Sequence, residues 1–340
     1  MLRDEWIALA REVIVEILDD QLAVTPREIE ARAANNTWPS AGGLRFDPDI
    51  LTEARRELAD EGLIHGTSQP TRGGRAIETW SRSDTKGKST AVDRAAARKR
   101  LLTTRHISWS EGNPRNPKGL IGRAGEDVLH SLLSASDPYT NIQGDSEHVL
   151  DTPLVGGSVD AACFITVDSA GHPDAMTAIM EIKNQRQWYY RSNPALHRFL
   201  AKAAHLQIAN PDSSLVPVFI SCWRHNSTFQ LARLLGFYAI AYRVQYVLDR
   251  AEIDPKLFSE VVTELGYDDL RRGTEPNTSF RHALQISLPR DARAIADRWS
   301  EAAHIVAPYS EQIRDSGDQV EQTELVEALV EDVENALGAV

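Results

Sequence analysis

Three side chains near the middle of the sequence are of types that can bind a divalent cation and activate a water molecule. Asp160 lies in the apolar run 155–165, and Glu181 and Lys183 lie two residues apart in the run 176–184. Because side chains alternate between the faces of a strand, Glu181 and Lys183 share one face, and a hairpin can bring Asp160 to the same end as Glu181. A charged aspartate in apolar surroundings is costly without a partner, and a metal ion is such a partner.

The neighbouring segments predict the elements that position these residues. Apolar residues at helical spacing predict a helix over 120–134, which carries Glu126. A turn at 168–173 separates the two strands that carry the acids. Beyond them, the patterns predict a helix over 194–209, a strand over 216–221, a helix over 228–235 and a strand over 239–247.

An aspartate, a hairpin and then Glu-x-Lys on the second strand resemble the PD-(D/E)XK nuclease superfamily, which has the restriction-endonuclease-like fold. The triplet alone is common by chance, and the specificity comes from the α-β-β-β-α-β order of segments over roughly 120–250. The resemblance implies an α/β (α+β) fold with a mixed β-sheet core flanked by helices. Val159, rather than proline, precedes the first acid, as in many members of this divergent superfamily. Asp151, nine residues upstream, is the competing acid, and placement in the strand favours Asp160.

The resemblance also implies roles for individual residues. Asp160 and Glu181 are the expected ligands of Mg²⁺ (or Mn²⁺), together with the backbone carbonyl of Ile182. Lys183 is expected to orient or deprotonate the attacking water, and Glu126 to complete the metal shell or orient a metal-bound water. Phosphodiester hydrolysis brings a nucleophile up to an anion, and a divalent cation neutralises charge and acidifies water.

Each role has a simpler alternative that the sequence leaves open. Glu181 and Lys183 can form an ion pair on a half-exposed strand, which contributes little to stability. Glu126, next to Asp127, can be an ordinary residue of a helix surface.

Polar and aromatic residues follow the second strand. In the segment 184–191, Arg186 and Arg191 can contact phosphates and the aromatic residues can stack on bases, although aromatic packing beneath a loop is the commoner explanation. On the next helix, Lys202 and Gln207, with His205, are candidate accessory residues near a scissile phosphate. Helix-surface polarity is the alternative for them.

Residues 1–82 predict three helices and a hairpin. Thr25-Pro26-Arg27-Glu28 is a capping-box start signal, and Asp47-Pro48 opens another helix that ends near Gly62. This order resembles a winged helix-turn-helix domain. The resemblance implies contacts with DNA through arginines on the third helix and on the wing: Arg55, Arg56, Arg72 and Arg75. Five acids on the same helix favour the alternative, in which it contacts a protein or dimerises.

Charge is distributed unevenly along the 340 residues. The chain carries a net charge of −12, but residues 72–118 carry +8 and residues 301–340 carry −9. Because salt screens charge over about 8–10 Å, a local basic segment can follow a polyanion whatever the global sign. A solvated face is the other explanation for either block. Spacing of four between apolar residues in the acidic tail predicts an amphipathic helix through Leu325, Leu329, Val333 and Leu337.

Several classes of protein are excluded by composition. Hydrophobic residues make up 42% of the chain, which is ordinary for a globular protein and excludes disorder and collagen. The two cysteines, Cys163 and Cys222, lie in apolar runs, so a disulfide scaffold and a zinc cluster are not expected. The longest apolar run, 234–242, is too short to span a membrane, and the first residues lack a signal-peptide pattern. We expect a cytoplasmic protein.

Together these patterns predict a Mg²⁺-dependent DNA endonuclease of restriction or defence type, acting as a homodimer. The predicted domains are a winged-helix-like recognition or docking domain (1–82), a basic linker (83–118), a nuclease core (119–250) and a helical C-terminal extension with an acidic tail (251–340). The resemblance implies products with 5′-phosphate and 3′-hydroxyl ends. The alternatives are a DNA-binding regulator with a catalytically silent nuclease fold, and a structural protein that docks a partner through its winged-helix domain or acidic helix.

Overall fold

The structure is a computed structural model, which describes residues 2–34, 38–42, 44–70, 75–84, 89–112, 118–169, 172–250 and 253–338. The chain divides into two compact units. The first comprises Met1–Leu120 and Asp249–Leu270, and the second comprises Ile121–Leu248 and Arg271–Val340. The protein is mixed α/β, as the sequence predicts.

The elements, in chain order, are α1 (Arg3–Gln21), α2 (Pro26–Ala34), a 3-10 turn (Pro39–Ala41), α3 (Pro48–Asp60), β1 (Ile64–Pro70), β2 (Ala76–Arg82), α4 (Ser89–Ser108), α5 (Gly119–Ser134), β3 (Tyr139–Ser146), β4 (His148–Val149), β5 (Thr152–Pro153), β6 (Val159–Ser169), β7 (His172–Tyr189), α6 (Pro194–Ala209), β8 (Leu215–Arg224), α7 (Asn226–Leu235), β9 (Tyr238–Ala241), β10 (Gln245–Val247), α8 (Pro255–Leu265), β11 (Leu270–Arg272), α9 (Thr278–His282), a π-helical turn (Ala283–Ser287), α10 (Leu288–Asp315) and α11 (Gln319–Leu337).

The first unit begins with the predicted three helices and hairpin. Thr25 and Glu28 form the predicted capping box: the Glu28 N–H donates to Thr25 Oγ1 at 3.2 Å, and the Thr25 N–H donates to Glu28 Oε2 at 3.4 Å. Strands β1 and β2 pair antiparallel from Ile64–Arg82 to Pro70–Ala76. Apolar side chains of α1, including Val13, Ile14 and Ile17, are fully buried in the core of this unit.

Helix α4 occupies much of the segment 83–118, which the sequence predicts as a basic linker. In the part of 83–118 that the structure describes, the helix continues to Ser108, because Leu102, Thr103 and His106 are buried along one of its sides. The His106 ring packs edge-on against Tyr267 of the same unit. The segment is therefore an integral helix of the first unit.

The second unit is built on a five-stranded mixed sheet with the strand order β3-β6-β7-β8-β9. Strands β3, β6 and β7 are antiparallel neighbours, whereas β7, β8 and β9 run parallel. Strand β6 begins at Val159 rather than 155, since Gly156 and Gly157 adopt positive φ angles of 78° and 99°. The predicted strand over 239–247 is split into β9 and β10, and Arg243 between them has a φ of 57°.

Helices pack on both faces of this sheet. Helices α6, α7, α10 and α11 share one hydrophobic cluster with Ile179 of β7 and Phe219 of β8. Helix α5 contacts β7 on the other face, where Asn184 donates a hydrogen bond to the Ile121 carbonyl. The acidic α11 buries Val326, Leu329 and Val333, so the predicted apolar stripe is present with Val326 in place of Leu325.

Among the helices of the described ranges, none has both the length and the apolar character needed to cross a membrane.

Candidate active site

The hairpin of β6 and β7 brings Asp160 and Glu181 side by side. The antiparallel register pairs Ala161 with Met180, which sets Asp160 next to Glu181 across the two strands. The backbone N–H of Ile182 donates a hydrogen bond of 2.8 Å to Asp160 Oδ2. The two acids therefore occupy one end of the hairpin, as the sequence predicts.

Glu181 lies between two lysines. Only 9% of the residue is exposed, although it carries a carboxylate. Lys183 Nζ is 2.5 Å from Glu181 Oε1, and Lys202 Nζ is 3.7 Å from Glu181 Oε2. Because 3.7 Å is beyond hydrogen-bond distance, the buried Oε2 atom has no hydrogen-bond partner among the described residues. A buried oxygen left in this way is open to a further ligand.

The pKa of Asp160 is raised. Burial and then the negative charge of Glu181 raise the pKa of Asp160 to about 6, against the lowering influence of the Lys183 ammonium and the Ile182 N–H. The charge of Glu126 contributes a smaller increase. Neighbouring carboxylates oppose each other's ionisation, and a cation bound between them removes that opposition.

Glu126 reaches this cluster from α5. It is buried, with 7% of its surface exposed, so it is not the helix-surface residue of the simpler alternative. Arg123, one turn earlier, places Nη1 3.8 Å from Glu126 Oε2 and Nε 2.8 Å from Asp127 Oδ1. The competing acid Asp151 lies in an exposed turn between β4 and β5 with a φ of 59°, which supports the choice of Asp160.

The oxygen atoms present here suit a hard divalent cation. In the parts of the chain that the structure describes, no three His, Cys, Asp or Glu side chains are grouped so that they could hold a metal ion. Mg²⁺, however, commonly takes one or two carboxylates and keeps several waters. The paired carboxylates of Asp160 and Glu181, with one buried oxygen lacking a donor, fit that preference. Ile182 is buried next to both, and its carbonyl is the third predicted ligand.

No family model, no curated protein and no solved structure matches the chain.

The accessory residues of α6 separate into two groups. Lys202 is buried at the site, where its ammonium donates a 2.6 Å hydrogen bond to the Ser158 carbonyl in addition to facing Glu181. Gln207 is instead at the end of the helix, and its amide donates to the carbonyls of Asn210 and Ser213 at 3.2 and 3.0 Å. His205 pairs with Glu311 at 2.6 Å. Gln207 and His205 thus have structural contacts of their own.

The segment 184–191, at the end of β7, packs against its neighbours. Trp188 lies 5.3 Å from Trp223 between ring centroids, and Tyr190 stacks on His225 at 4.7 Å. Arg191 Nη2 is 3.3 Å from Glu327 Oε1, and Arg186 is buried. These contacts agree with the packing explanation, and a role of Arg186 and Arg191 in DNA binding stays a prediction.

The arginines predicted to contact DNA from the first unit differ in their surroundings. Arg55 does not point outward: burial lowers its pKa, and its guanidinium lies 5.1 Å above the Trp80 ring. Arg56 is exposed, and Arg75 is exposed but pairs with Glu111 at 3.1 Å. Arg72 lies outside the described residues.

Two features of the site were not anticipated from the sequence. Asn184, directly after Lys183, is buried and makes hydrogen bonds to three other segments. His130 Nε2 lies 3.0 Å from the Asp160 carbonyl and so links α5 to β6. The position of Asn184 beside the Glu-x-Lys triplet is the only signal for it, while His130 carries none.

Proposed function

We propose that the second unit is a Mg²⁺- or Mn²⁺-dependent DNA endonuclease of the PD-(D/E)XK type, with a restriction or defence role. The observation that carries the proposal is the buried pair Asp160 and Glu181, with an oxygen that lacks a hydrogen-bond donor and with Lys183 on the same face. An antiparallel hairpin followed by two parallel strands supports a restriction-endonuclease-like arrangement of the sheet.

In this proposal each residue has a defined task. Asp160 and Glu181 hold the cation together with the Ile182 carbonyl. When bound, the cation neutralises the phosphodiester and lowers the pKa of water. Lys183 orients the attacking water or accepts its proton, and then stabilises negative charge on the phosphoryl oxygens. Glu126 accepts a hydrogen bond from a water at the same site.

Lys202 orients Glu181 rather than reacting. Its ammonium is fixed by the Ser158 carbonyl at 2.6 Å, and it faces Glu181 Oε2 from 3.7 Å. Two cations on either side of a carboxylate hold it in one orientation. Lys202 therefore balances the charge that the paired acids concentrate at the hairpin.

The first unit supplies recognition or docking in the proposal. Its helix-helix-helix-hairpin order supports a winged-helix-like domain, and Arg56 is an exposed cation on the third helix. Several cations of the basic segment already have acidic partners in the same unit, such as Arg98 with Glu264 at 2.7 Å. Because a cut through both strands of DNA needs two active sites, we propose a homodimer.

The test is cleavage of plasmid DNA and of RNA in Mg²⁺ or EDTA by the full chain and by two lysine variants. Lys183→Ala removes the proposed catalytic side-chain nitrogen, and Lys256→Ala removes an exposed lysine of α8 as a matched control. We expect metal-dependent cleavage of DNA by the wild type and by Lys256→Ala, and loss of about 10²–10⁴-fold in Lys183→Ala. No cleavage of either substrate, or equal cleavage by Lys183→Ala, would overturn the proposal.

A DNA-binding regulator with a catalytically silent nuclease fold is the second candidate. The observation that favours it is the pairing of Glu181 with two lysines, which supplies counter-charges without a metal. Calorimetric titration with Mn²⁺ separates the candidates. Binding that Glu181→Gln abolishes favours the nuclease, whereas DNA binding without Mn²⁺ binding favours the regulator.

A further inference from the structure

Asn184 connects the catalytic strand to α5, to β10 and to Tyr242 between β9 and β10. Its side chain is buried, with 3% of the residue exposed. The amide Nδ2 donates to the Ile121 carbonyl of α5 at 2.6 Å and to the Tyr246 carbonyl of β10 at 2.7 Å. Its Oδ1 accepts from the Tyr246 N–H and from the Tyr242 hydroxyl, both at 2.9 Å. The amide thereby uses both donors and both lone pairs of its oxygen.

Helix α5 approaches β7 most closely at Gly125. A Cβ atom at this position would lie 2.5 Å from the Asn184 Cβ, a distance that side chains do not tolerate. Ile121 and Gly125 are one helical turn apart, so the hydrogen bond and the close approach lie on the same side of α5. The next residue along the helix is Glu126.

We infer that Asn184 is a positioning residue for the metal site, which acts through α5 on Glu126. The inference rests on the proposed function. Asn184 fixes one turn of α5 against β7 at the residue next to Lys183, and that turn carries Glu126 towards Asp160 and Glu181. The Asn184 amide and Gly125 therefore help to set the distance between the helix carboxylate and the strand carboxylates, together with the contact of His130 to the Asp160 carbonyl.

A purely structural role predicts a different outcome. Loss of these buried hydrogen bonds, to which the Cys222 thiol adds a fifth at 3.6 Å from Oδ1, destabilises the fold in either case. If Asn184 only stabilises the core, any variant with an equal loss of stability affects the site equally. If it positions Glu126, its removal affects metal binding only while Glu126 is present.

The experiment is a double-mutant cycle between Asn184→Ala and Glu126→Gln in the full chain. Mn²⁺ affinity is measured by titration calorimetry, and DNA cleavage is measured in single-turnover conditions. We expect Asn184→Ala to weaken Mn²⁺ binding and to slow cleavage by about 10–100-fold, as loss of an orienting residue does. In the Glu126→Gln background the same change has less than about a threefold effect, because the two residues act together.

Two further variants keep the test decisive. Val333→Ala removes part of a buried side chain of α11 and serves as the destabilised control, with Mn²⁺ affinity expected to stay at the wild-type value. Gly125→Ala leaves every hydrogen-bonding group of Asn184 in place but pushes α5 away from β7. It therefore reproduces the loss of Mn²⁺ affinity even if Asn184→Ala fails to fold.

The outcomes separate this inference from the proposed function. Wild-type protein that neither binds Mn²⁺ nor cleaves DNA overturns the proposed function and, with it, the role of Asn184 at a metal site. If the wild type does both, two results overturn the inference alone. One is an additive double-mutant cycle, and the other is a loss of Mn²⁺ affinity in Val333→Ala as large as that in Asn184→Ala. Hydrogen exchange gives a readout without metal: Asn184→Ala accelerates exchange in α5 but not in α6, and equal exchange in both contradicts the inference.

Discussion

Each of the two units buries a carboxylate against a lysine, and the two clusters differ in how completely their charges are satisfied. In the first unit, Glu28 is fully buried and accepts hydrogen bonds from Lys99 at 2.5 Å and from Arg32 at 2.8 Å. Lys99 also donates to Gln21 at 2.9 Å and to the Glu264 carbonyl. Burial raises the pKa of Glu28 and lowers the pKa of Lys99, and their mutual attraction acts against both shifts.

The cluster of the second unit is arranged differently. Two carboxylates, Asp160 and Glu181, lie side by side, and a third, Glu126, is close enough to affect the pKa of Asp160. Glu181 Oε2 is buried without a hydrogen-bond donor. Lys183 and Lys202 supply counter-charges to Glu181, but the hydrogen bonding of this cluster is incomplete.

The completeness of hydrogen bonding distinguishes buried charges that are structural from those that are candidates for function. Burying an ion pair gives little net stability, but a pair whose hydrogen bonds are complete is a consistent structural element. Adjacent acids repel each other, and here one carboxylate oxygen also lacks a hydrogen-bond donor in the described part of the chain. Such an arrangement is more easily explained by a chemical function than by stability. Amide substitutions test this contrast, since they remove charge while keeping size.

The largest effect is expected for Asp160→Asn. We expect DNA cleavage to fall by about 10³-fold, since one of the proposed metal ligands is lost. The asparagine Oδ1 can still accept from the Ile182 N–H, and the repulsion from Glu181 disappears, so the melting temperature should stay the same or rise. The measurements are plasmid cleavage and thermal unfolding in EDTA. A large loss of stability in this variant would show that the second cluster is structural after all.

The opposite result is expected for Glu28→Gln. This change leaves Lys99 and Arg32 buried with less negative charge, and we expect a loss of about 3 kcal/mol in the free energy of unfolding. Cleavage per folded molecule should not change. Glu12→Gln, at an exposed position of α1, is the matched control and should alter neither quantity. Unchanged stability in urea titration of Glu28→Gln would remove the contrast between the clusters.

The stability of the protein should depend on pH and on Mg²⁺ together. Since the pKa of Asp160 is raised to about 6, the folded protein binds this proton more tightly than the unfolded chain, and the stability of the metal-free protein falls as pH rises from about 4 to 6. Mg²⁺ competes with the proton, so saturating Mg²⁺ should stabilise the protein by about 2 kcal/mol near neutral pH and by less near pH 5.

The check is thermal unfolding with Mg²⁺ or EDTA at both pH values. Asp160→Asn is the control and should show neither the Mg²⁺ effect nor its pH dependence. Equal stabilisation by Mg²⁺ at both pH values would contradict the role of Asp160 as the titrating ligand.

The sequence predicts those contacts of the two clusters that depend on local geometry. Strand periodicity places Glu181 and Lys183 on one face, and the hairpin brings Asp160 to them, because both relations depend on local geometry. The limits of α6 are also predicted, since Asn193 and Pro194 provide a clear start; Asn193 accepts a hydrogen bond from the Ala195 N–H at 2.9 Å.

Contacts between distant residues are not predicted. Lys99 and Glu28 are 71 residues apart, and no local pattern marks either as buried. The same holds for Asn184, whose partners lie about 60 residues away in both directions. The sequence predicts a linker over 83–118 because charge alone does not show whether a basic side chain contacts a carboxylate or solvent. Tertiary burial, rather than composition, decides its structure.

The smallest effect is expected for Glu264, at the edge of the cluster formed by Glu28, Lys99 and Arg32. Glu264 contributes its backbone carbonyl to Lys99, while its half-exposed side chain pairs with Arg98 at 2.7 Å. Glu264→Gln keeps the carbonyl and removes only the surface pair, so we expect less than about 1 kcal/mol of destabilisation.

The effect of Glu264→Gln should also depend on pH and salt. The hydrogen bond from Arg98 lowers the pKa of Glu264, so the pair stabilises the fold above the ordinary pKa of 4.5, and the contribution disappears as pH falls through the lowered value. Urea titrations at neutral and acid pH, with and without high salt, measure both dependences. Glu264→Gln could instead lose as much unfolding free energy as Glu28→Gln, with no dependence on salt. Charge at the half-exposed edge of the cluster would then matter as much as charge in the interior. Completeness of buried hydrogen bonding would then no longer distinguish the two clusters.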